Sequence, residues 1–192
     1  MVGKLGCALV GIGFLIAVAY GVYWYFTPRP SDGPVTATYD LDRLCFGAGG
    51  QRYFLEADAY GGSPPHPIAM FRNGPLGLTE VAVAGPGVPA QWSGHELDPK
   101  RTQLVLCMGK PKDGGSLRTC EFSGDSLALH RGVYDATLYE AKTRREIASG
   151  KLEGSAKESC PGLVAVEQNT AKLFTEPDYA EIRKVFGEYV DG

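Results

Sequence analysis

Histidine is scarce in this chain: His66, His95 and His130 are the only three. A metal centre or proton-transfer site built on imidazole therefore has little to draw on. Closely spaced cysteines are missing too. Cys7, Cys45, Cys107, Cys120 and Cys160 include no C-x2–4-C pair, which removes the ligand spacing of structural zinc and leaves no cofactor implied. No Asn-x-Ser/Thr acceptor occurs. Basic charge is not concentrated either: the net charge is −3, with Lys and Arg scattered among acids. Nucleic-acid binders carry a basic patch that neutralises phosphates, so nucleic acid is excluded as a partner. There is no internal repeat, no long low-complexity tract and, before the last stretch of the chain, no long helical periodicity.

What is present begins with an apolar run. Residues 5–28 carry no charged side chain. About 20 apolar residues in a helix cross a hydrocarbon core of about 30 Å, so the sequence predicts a transmembrane helix over residues 5–27. Tyr20, Tyr23, Trp24, Tyr25 and Phe26 crowd its C-terminal end, where amphipathic rings favour the headgroup zone. Pro28 and Pro30 stop it. Ala17-Val18-Ala19 resembles a signal-peptide cleavage site, but the apolar run continues to Phe26, longer than a typical signal core. Gly13, Ala17 and Gly21 recur at spacing four, a small-residue face suited to helix dimerisation. Cys7 reads as an apolar filler. The expected organisation is a cytoplasmic N-terminus over residues 1–4, the anchor over 5–27, a proline-rich linker over 28–37 and one extracytoplasmic domain over 38–192. The bilayer is thus the first predicted partner, with the C-terminal domain outside a single-pass cell-membrane anchor.

The domain reads as mainly β. Short apolar or alternating runs near Tyr53–Tyr60, Pro67–Arg72, Thr79–Val83, Thr102–Met108, Leu117–Phe122, Leu127–Arg131, Tyr134–Glu140, Glu146–Leu152 and Leu163–Glu167 are separated by Gly and Pro. Such spacing predicts an antiparallel sandwich or open barrel. Tyr134, Ala136 and Leu138 alternate with Asp135, Thr137 and Tyr139, the period of a strand with one buried face. After Thr175-Glu-Pro-Asp178, a helix N-cap pattern, Tyr179, Ile182, Val185, Phe186 and Tyr189 fall on one face of a C-terminal helix.

Four non-membrane cysteines in an exported domain favour disulfides over thiols, and they set the orientation of the anchor. Asp113-Gly114 is a favoured two-residue hairpin turn. A turn there places Cys107 opposite Cys120 in a non-hydrogen-bonded pair, where side chains approach closely, and sets Pro111 where its missing N–H does no harm. Cys107–Cys120 and, from the remaining two, Cys45–Cys160 are the expected bridges.

The catalytic motifs are incomplete. Gly124-Asp125-Ser126-Leu127 spells the GDSL signature of a hydrolase family. A nucleophilic serine needs a histidine base within reach, and no histidine follows His130 to make that family's late Asp-x-x-His pair. Gly124-Asp125 reads as a turn. His95-Glu96 lacks the second histidine of a zincin helix, and Gly47-Ala-Gly-Gly50 completes no phosphate-binding pattern. Asp40, Asp42, Glu56 and Asp58 suit an acidic edge and equally a solvated strand face, and Glu140, Lys142, Arg144, Arg145 and Glu146 read as a charged β-turn. No catalytic, cofactor-binding or metal-ligating residue is assigned.

Leu104–Cys107, Leu117-Arg-Thr-Cys120, Tyr139-Glu-Ala-Lys-Thr143 and Ser159-Cys-Pro161, together with Cys45 and His66-Pro67, give the chain a likeness over roughly Tyr39 to Tyr189. In this pattern it resembles a group of uncharacterised bacterial extracytoplasmic domains, marked by a leading cysteine, a His-Pro strand, a cysteine hairpin and a late Cys-Pro. The resemblance implies a single anchored domain and no catalytic or ligand-binding residue. The function expected is a non-enzymatic membrane-anchored module that binds a protein, a polymer of the envelope or another membrane component, with the Gly85–Pro89 loop and strand edges as contact surfaces. Two alternatives stand beside it: an envelope enzyme with a site near His66 and His95, and a structural subunit associating through its membrane helix.

Overall fold

The computed structural model describes residues 13–23, 27–46, 51–74, 77–81, 83, 87–93, 98–122, 125–156, 159–161 and 172–192. A first helix, α1, covers residues 13–23. Then follow β1 (Arg29–Pro30), a 3-10 turn (Thr38–Asp42), α2 (Arg43–Phe46), β2 (Arg52–Tyr53), β3 (Ile68–Gly74) and β4 (Gly77–Glu80). Short 3-10 turns at Ala90–Trp92 and Pro99–Arg101 lead to β5 (Leu104–Met108), β6 (Lys112–Phe122), β7 (Asp125–Glu140), β8 (Glu146–Glu153), β9 (Lys172–Thr175) and α3 (Tyr179–Val190).

The predicted transmembrane helix is overturned. At about 1.5 Å per residue the described part of α1 is roughly 16 Å long, half of a hydrocarbon core. Among the described residues no helix is long and apolar enough to cross a membrane. The stretch read as a linker over residues 28–37 is packed onto the domain. Arg29 and Pro30 pair in parallel with Arg52 and Tyr53, Ser31 N–H donates to the Tyr53 carbonyl at 2.8 Å, and Val35 is buried.

The domain is mainly β with a C-terminal helix, but beside the two-stranded β1/β2 pair its strands form one seven-stranded mixed sheet rather than an antiparallel sandwich or open barrel. Seven strands run in the order β4-β3-β5-β7-β6, with β8 and β9 also on β7. Two neighbouring pairs, β3/β5 and β7/β9, are parallel. The reason lies in β3 and β5. Ile68–Phe71 and all of Leu104–Met108 are buried, so both faces of the sheet centre need a cover, as parallel strands usually do. On one face Leu104, Leu106 and Met108 join Trp92 and the α3 residues Ile182, Phe186 and Val190. On the other, Val105, Cys107 and Phe71 join Val35, Leu41, Leu44 and Cys45 from the N-terminal layer. Helix, sheet and N-terminal segment therefore stack in three layers.

β7 organises the sheet. It fuses the predicted strands at 127–131 and 134–140 into one, and its Tyr134, Ala136 and Leu138 are buried as the alternation requires. One edge takes β5 against residues 136–140 and β6 against 125–133. The other takes β8 against 133–139 and β9 against 128–131. β5 and β6 thus lie end to end on the same edge, and Asp113-Gly114 is not a hairpin turn. The register with β7 slips between Asp113/Ser116 and again between Ser116/Arg118, the mark of β-bulges. Gly115 there has φ +112°, and a Cβ on Gly114 would stand 2.8 Å from Val133 Cγ2.

α3 starts as its sequence predicts: the Asp178 side chain caps it by accepting from Glu181 N–H at 3.0 Å, satisfying one of the free donors of the first turn.

Candidate functional site

The four domain cysteines form two disulfides, but not in the expected pairs. Cys45 joins Cys107 with Cα atoms 5.3 Å apart, and Cys120 joins Cys160 at 5.7 Å. The predicted Cys107–Cys120 and Cys45–Cys160 bridges fail with the hairpin. Cys107 pairs with Thr137 and Cys120 with Leu127, positions roughly 30 Å apart along β7 at the rise of a strand. A disulfide needs Cα atoms within about 7 Å.

The two described histidines lie on different elements, His66 ahead of β3 and His130 on β7. His66 is buried; its Nδ1 contacts Gln103 Oε1 at 2.7 Å, and its ring meets Tyr60 edge-on at 4.8 Å. Its backbone N–H donates to the Val190 carbonyl. The hydrogen bond of this ring goes to an amide, which orients imidazole without making it a general base. His95 and Glu96 lie outside the described residues, as do Gly47–Gly50 and Gly124. Ser126 is exposed on β7, four residues before His130 on the same strand. That spacing is about 13 Å, far beyond the reach of a serine's general base.

The closest gathering of acid and base is Asp113, His130 and Lys172, drawn from the bulge of β6, from β7 and from β9. Asp113 Oδ1 contacts His130 Nδ1 at 2.8 Å and accepts from Gly115 N–H at 2.9 Å, while Oδ2 accepts from Lys172 Nζ at 2.6 Å. The Lys172 ammonium first, then Gly115 N–H and His130, hold the Asp113 carboxyl far below the usual carboxylate range. A carboxylate so occupied is a poor proton acceptor, and the cluster serves to fasten β9 to the bulge. The signal for it in the sequence was the second glycine of Asp113-Gly114-Gly115, which suits a bulge better than a two-residue turn.

Two charged groups expected at the surface are drawn inward. Glu140 is buried. It accepts from Tyr60 N–H at 3.0 Å, Thr143 Oγ1 at 2.6 Å and Arg145 Nε at 3.3 Å. Burial raises its pKa, but those donors outweigh burial and the net shift is downward. Arg144, at φ 59°, donates from Nε to the Leu44 carbonyl and lies 4.5 Å over the Tyr139 ring. The charged turn is therefore a clasp between the sheet and α2. The expected acidic edge is dispersed as well. Asp40 takes N–H groups of Thr36 and Ala37 and the Arg43 guanidinium, whereas Glu56 takes Val35 N–H and pairs with Lys100.

Two open hollows lie among the described residues. One of about 500 Å³ runs along α3 past Tyr179, Arg183, Gly187 and Asp191. Of its four charged residues, Arg183 and Asp191 pair with each other, Arg183 Nε donating to Asp191 Oδ2 at 2.6 Å, and Lys184 pairs with Glu181. A second, of about 230 Å³, is lined by Pro30, Pro34, Phe54, Leu55 and Glu56 among others. Of the Gly85–Pro89 loop, Gly87, Val88 and Pro89 are described, with Gly87 at φ +86°. Among the described residues no three His, Cys, Asp or Glu side chains gather as a metal site would need.

No family model, curated protein or solved structure matches the chain.

Proposed function

We propose that the chain is an exported interaction module: its disulfide-bonded domain stands on the outer side of a cell membrane, meets that membrane through the apolar segment of residues 5–27, and binds a protein or a polymer of the envelope. The observation that carries this reading is the state of α1. Phe14, Leu15, Ile16, Tyr20 and Tyr23 are 64–70% exposed, and every residue from 13 to 23 is exposed. A helix apolar all round is a helix that something else covers. The two cystines support an oxidising compartment, since such bonds are rare where thiols are kept reduced. The contact proposed is association and not a span. The cysteine, turn and strand residues that resemble bacterial extracytoplasmic domains fit the same reading, although their cysteine hairpin is absent.

The test is flotation of the full chain with phosphatidylethanolamine/phosphatidylglycerol vesicles. The protein should rise with the vesicles, and Leu15→Glu with Ile16→Glu should leave it at the bottom of the gradient. Wild-type protein that stays at the bottom would sink the membrane half of the proposal.

The enzyme alternative near His66 and His95 gains nothing at His66, whose imidazole is buried against Gln103 and Tyr60, and His95 lies outside the described residues. Association of copies through Gly13, Ala17 and Gly21 stays a subsidiary proposal. A Cβ on Gly13 or Gly21 would meet nothing within 4 Å, so Gly13→Leu and Gly21→Leu can test it without disturbing the domain.

A further inference from the structure

The two cystines sit in unlike surroundings. Cys45 and Cys107 are 3% and 4% exposed, enclosed with Leu41, Leu44, Phe71 and Val105 between α2 and the sheet. Cys120 is 0% exposed, but it belongs to a small cluster with Leu129 and Leu173, apart from both main cores. Its partner Cys160 is exposed, as are Ser159 and Pro161. Thiol–disulfide exchange proceeds by attack of a thiolate on one sulfur, so its rate depends on which sulfur can be reached.

We propose that Cys120–Cys160 is a thiol-exchange site whose exposed half, Cys160, takes a dithiol reductant, while Cys45–Cys107 is a closed structural bond. The reductant's thiolate attacks Cys160 Sγ and forms a mixed disulfide with it. The Cys120–Cys160 bond breaks, and its electron pair leaves on Cys120 Sγ, which takes a proton from water. The reductant's second thiolate then attacks its own bonded sulfur and expels Cys160 as a thiolate. The reductant departs as an internal disulfide, and the protein has gained two electrons. Beyond the lost restriction of the unfolded chain, the packing that opening disturbs is the small cluster of Cys120, Leu129 and Leu173. Cys120 is also held by its backbone, opposite Leu127 in the β6/β7 ladder. The lone pairing of β9 with β7 is likewise made by the backbone.

The test treats the folded full chain with dithiothreitol in native buffer, quenches with acid, alkylates and maps the peptides without further reduction. Cys120 and Cys160 should be alkylated at least about ten times faster than Cys45 and Cys107, because access controls the attack. Simultaneous opening of both bonds, or Cys45–Cys107 opening first, would overturn the proposal. A monothiol, glutathione, should be trapped on Cys160; an adduct on Cys120 instead would also overturn it. In the double variant Cys120→Ser/Cys160→Ser, Cys45–Cys107 should keep its slow rate. A rise to the fast rate of the other cystine would mean that global opening exposes the bond, and the assignment of a closed structural bond would fall.

Discussion

Several single residues here are fixed by what stands against them and not by their own propensities. Gly132 is buried in β7, and a Cβ there would lie 2.6 Å from the Thr175 carbonyl oxygen and 2.7 Å from the Tyr134 ring. Tyr134 itself is anchored by donating to that carbonyl at 3.0 Å, and burial foremost raises its hydroxyl pKa to about 12. Gly132→Ala should therefore push β9 off β7 and cost about 1–3 kcal/mol in urea melts, the usual range for overpacking. Two of the depressed carboxylates, Asp191 and Glu140, are at least partly buried and contribute to an acid limb. Burial pushes the Asp191 carboxyl up, but hydrogen bonds from Arg183, Trp92 and Gln91 carry it below its ordinary 3.8. Glu140 likewise ends below 4.5. A depressed carboxylate contributes stability that is complete above its unfolded-state pKa and disappears as pH falls through the folded one. The melting temperature should hold from neutrality to about pH 5 and fall below it. Asp191→Asn with Glu140→Gln should lower the neutral plateau and flatten that fall; an unchanged acid limb would show that other groups set it.

Among the elements, α3 is the most independent of the rest in sequence and the most dependent in energy. It has an N-cap at Asp178 and buries Ile182, Phe186 and Val190. It lies so close to β8 that a Cβ on Gly150 would stand 2.8 Å from Val185 Cγ1. Phe186→Ala should cost about 3–5 kcal/mol, as loss of a fully buried phenyl ring usually does. Near-UV circular dichroism of the Trp92–Tyr179 pair, 5.4 Å apart, would report the loosened helix. This helix was legible because its apolar stripe and cap are local. So was the alternation of Tyr134, Ala136 and Leu138 in β7. The sheet order was not, because nothing local tells a strand that its neighbour is the next one in sequence. Asp113-Gly114 carried a hairpin signal, but the long edge of β7 offered Lys112 onward a ladder that a hairpin on β5 would have forfeited. The disulfide pairing failed with it, having been derived from that register. The transmembrane expectation failed because composition allowed a helix over 5–27, whereas among the described residues the helix covers 13–23 and none is long and apolar enough to cross a membrane. Cys120 and Cys160 could not be ranked against Cys45 and Cys107 from sequence, since burial is a property of the assembled layers.

At the scale of the whole molecule, the three layers hold together where the chain entropy is largest. The two cystines span sequence separations of 62 and 40 residues. Restriction of the unfolded chain is worth about 4 kcal/mol for either, and the two differ by only about 0.4 kcal/mol. Chain entropy therefore does not rank them; packing does. Cys45–Cys107 fastens the N-terminal layer, Val35 through Ala57, to the buried face of β3 and β5. Replacing both sulfurs by hydroxyls leaves two polar groups in an apolar cluster, each costing about 1–3 kcal/mol without a partner. Cys120–Cys160 closes a small cluster beside the sheet and has one end already in solvent, so its removal adds one such group rather than two. Cys45→Ser/Cys107→Ser should thus lose more stability than Cys120→Ser/Cys160→Ser, by about 1–3 kcal/mol in paired urea melts. Its hydrogen exchange should rise first in residues 35–57, where the layer comes away. Equal losses from the two double variants would mean that the N-terminal layer is held by its own apolar contacts and the Arg144 clasp, with the buried cystine merely following the fold.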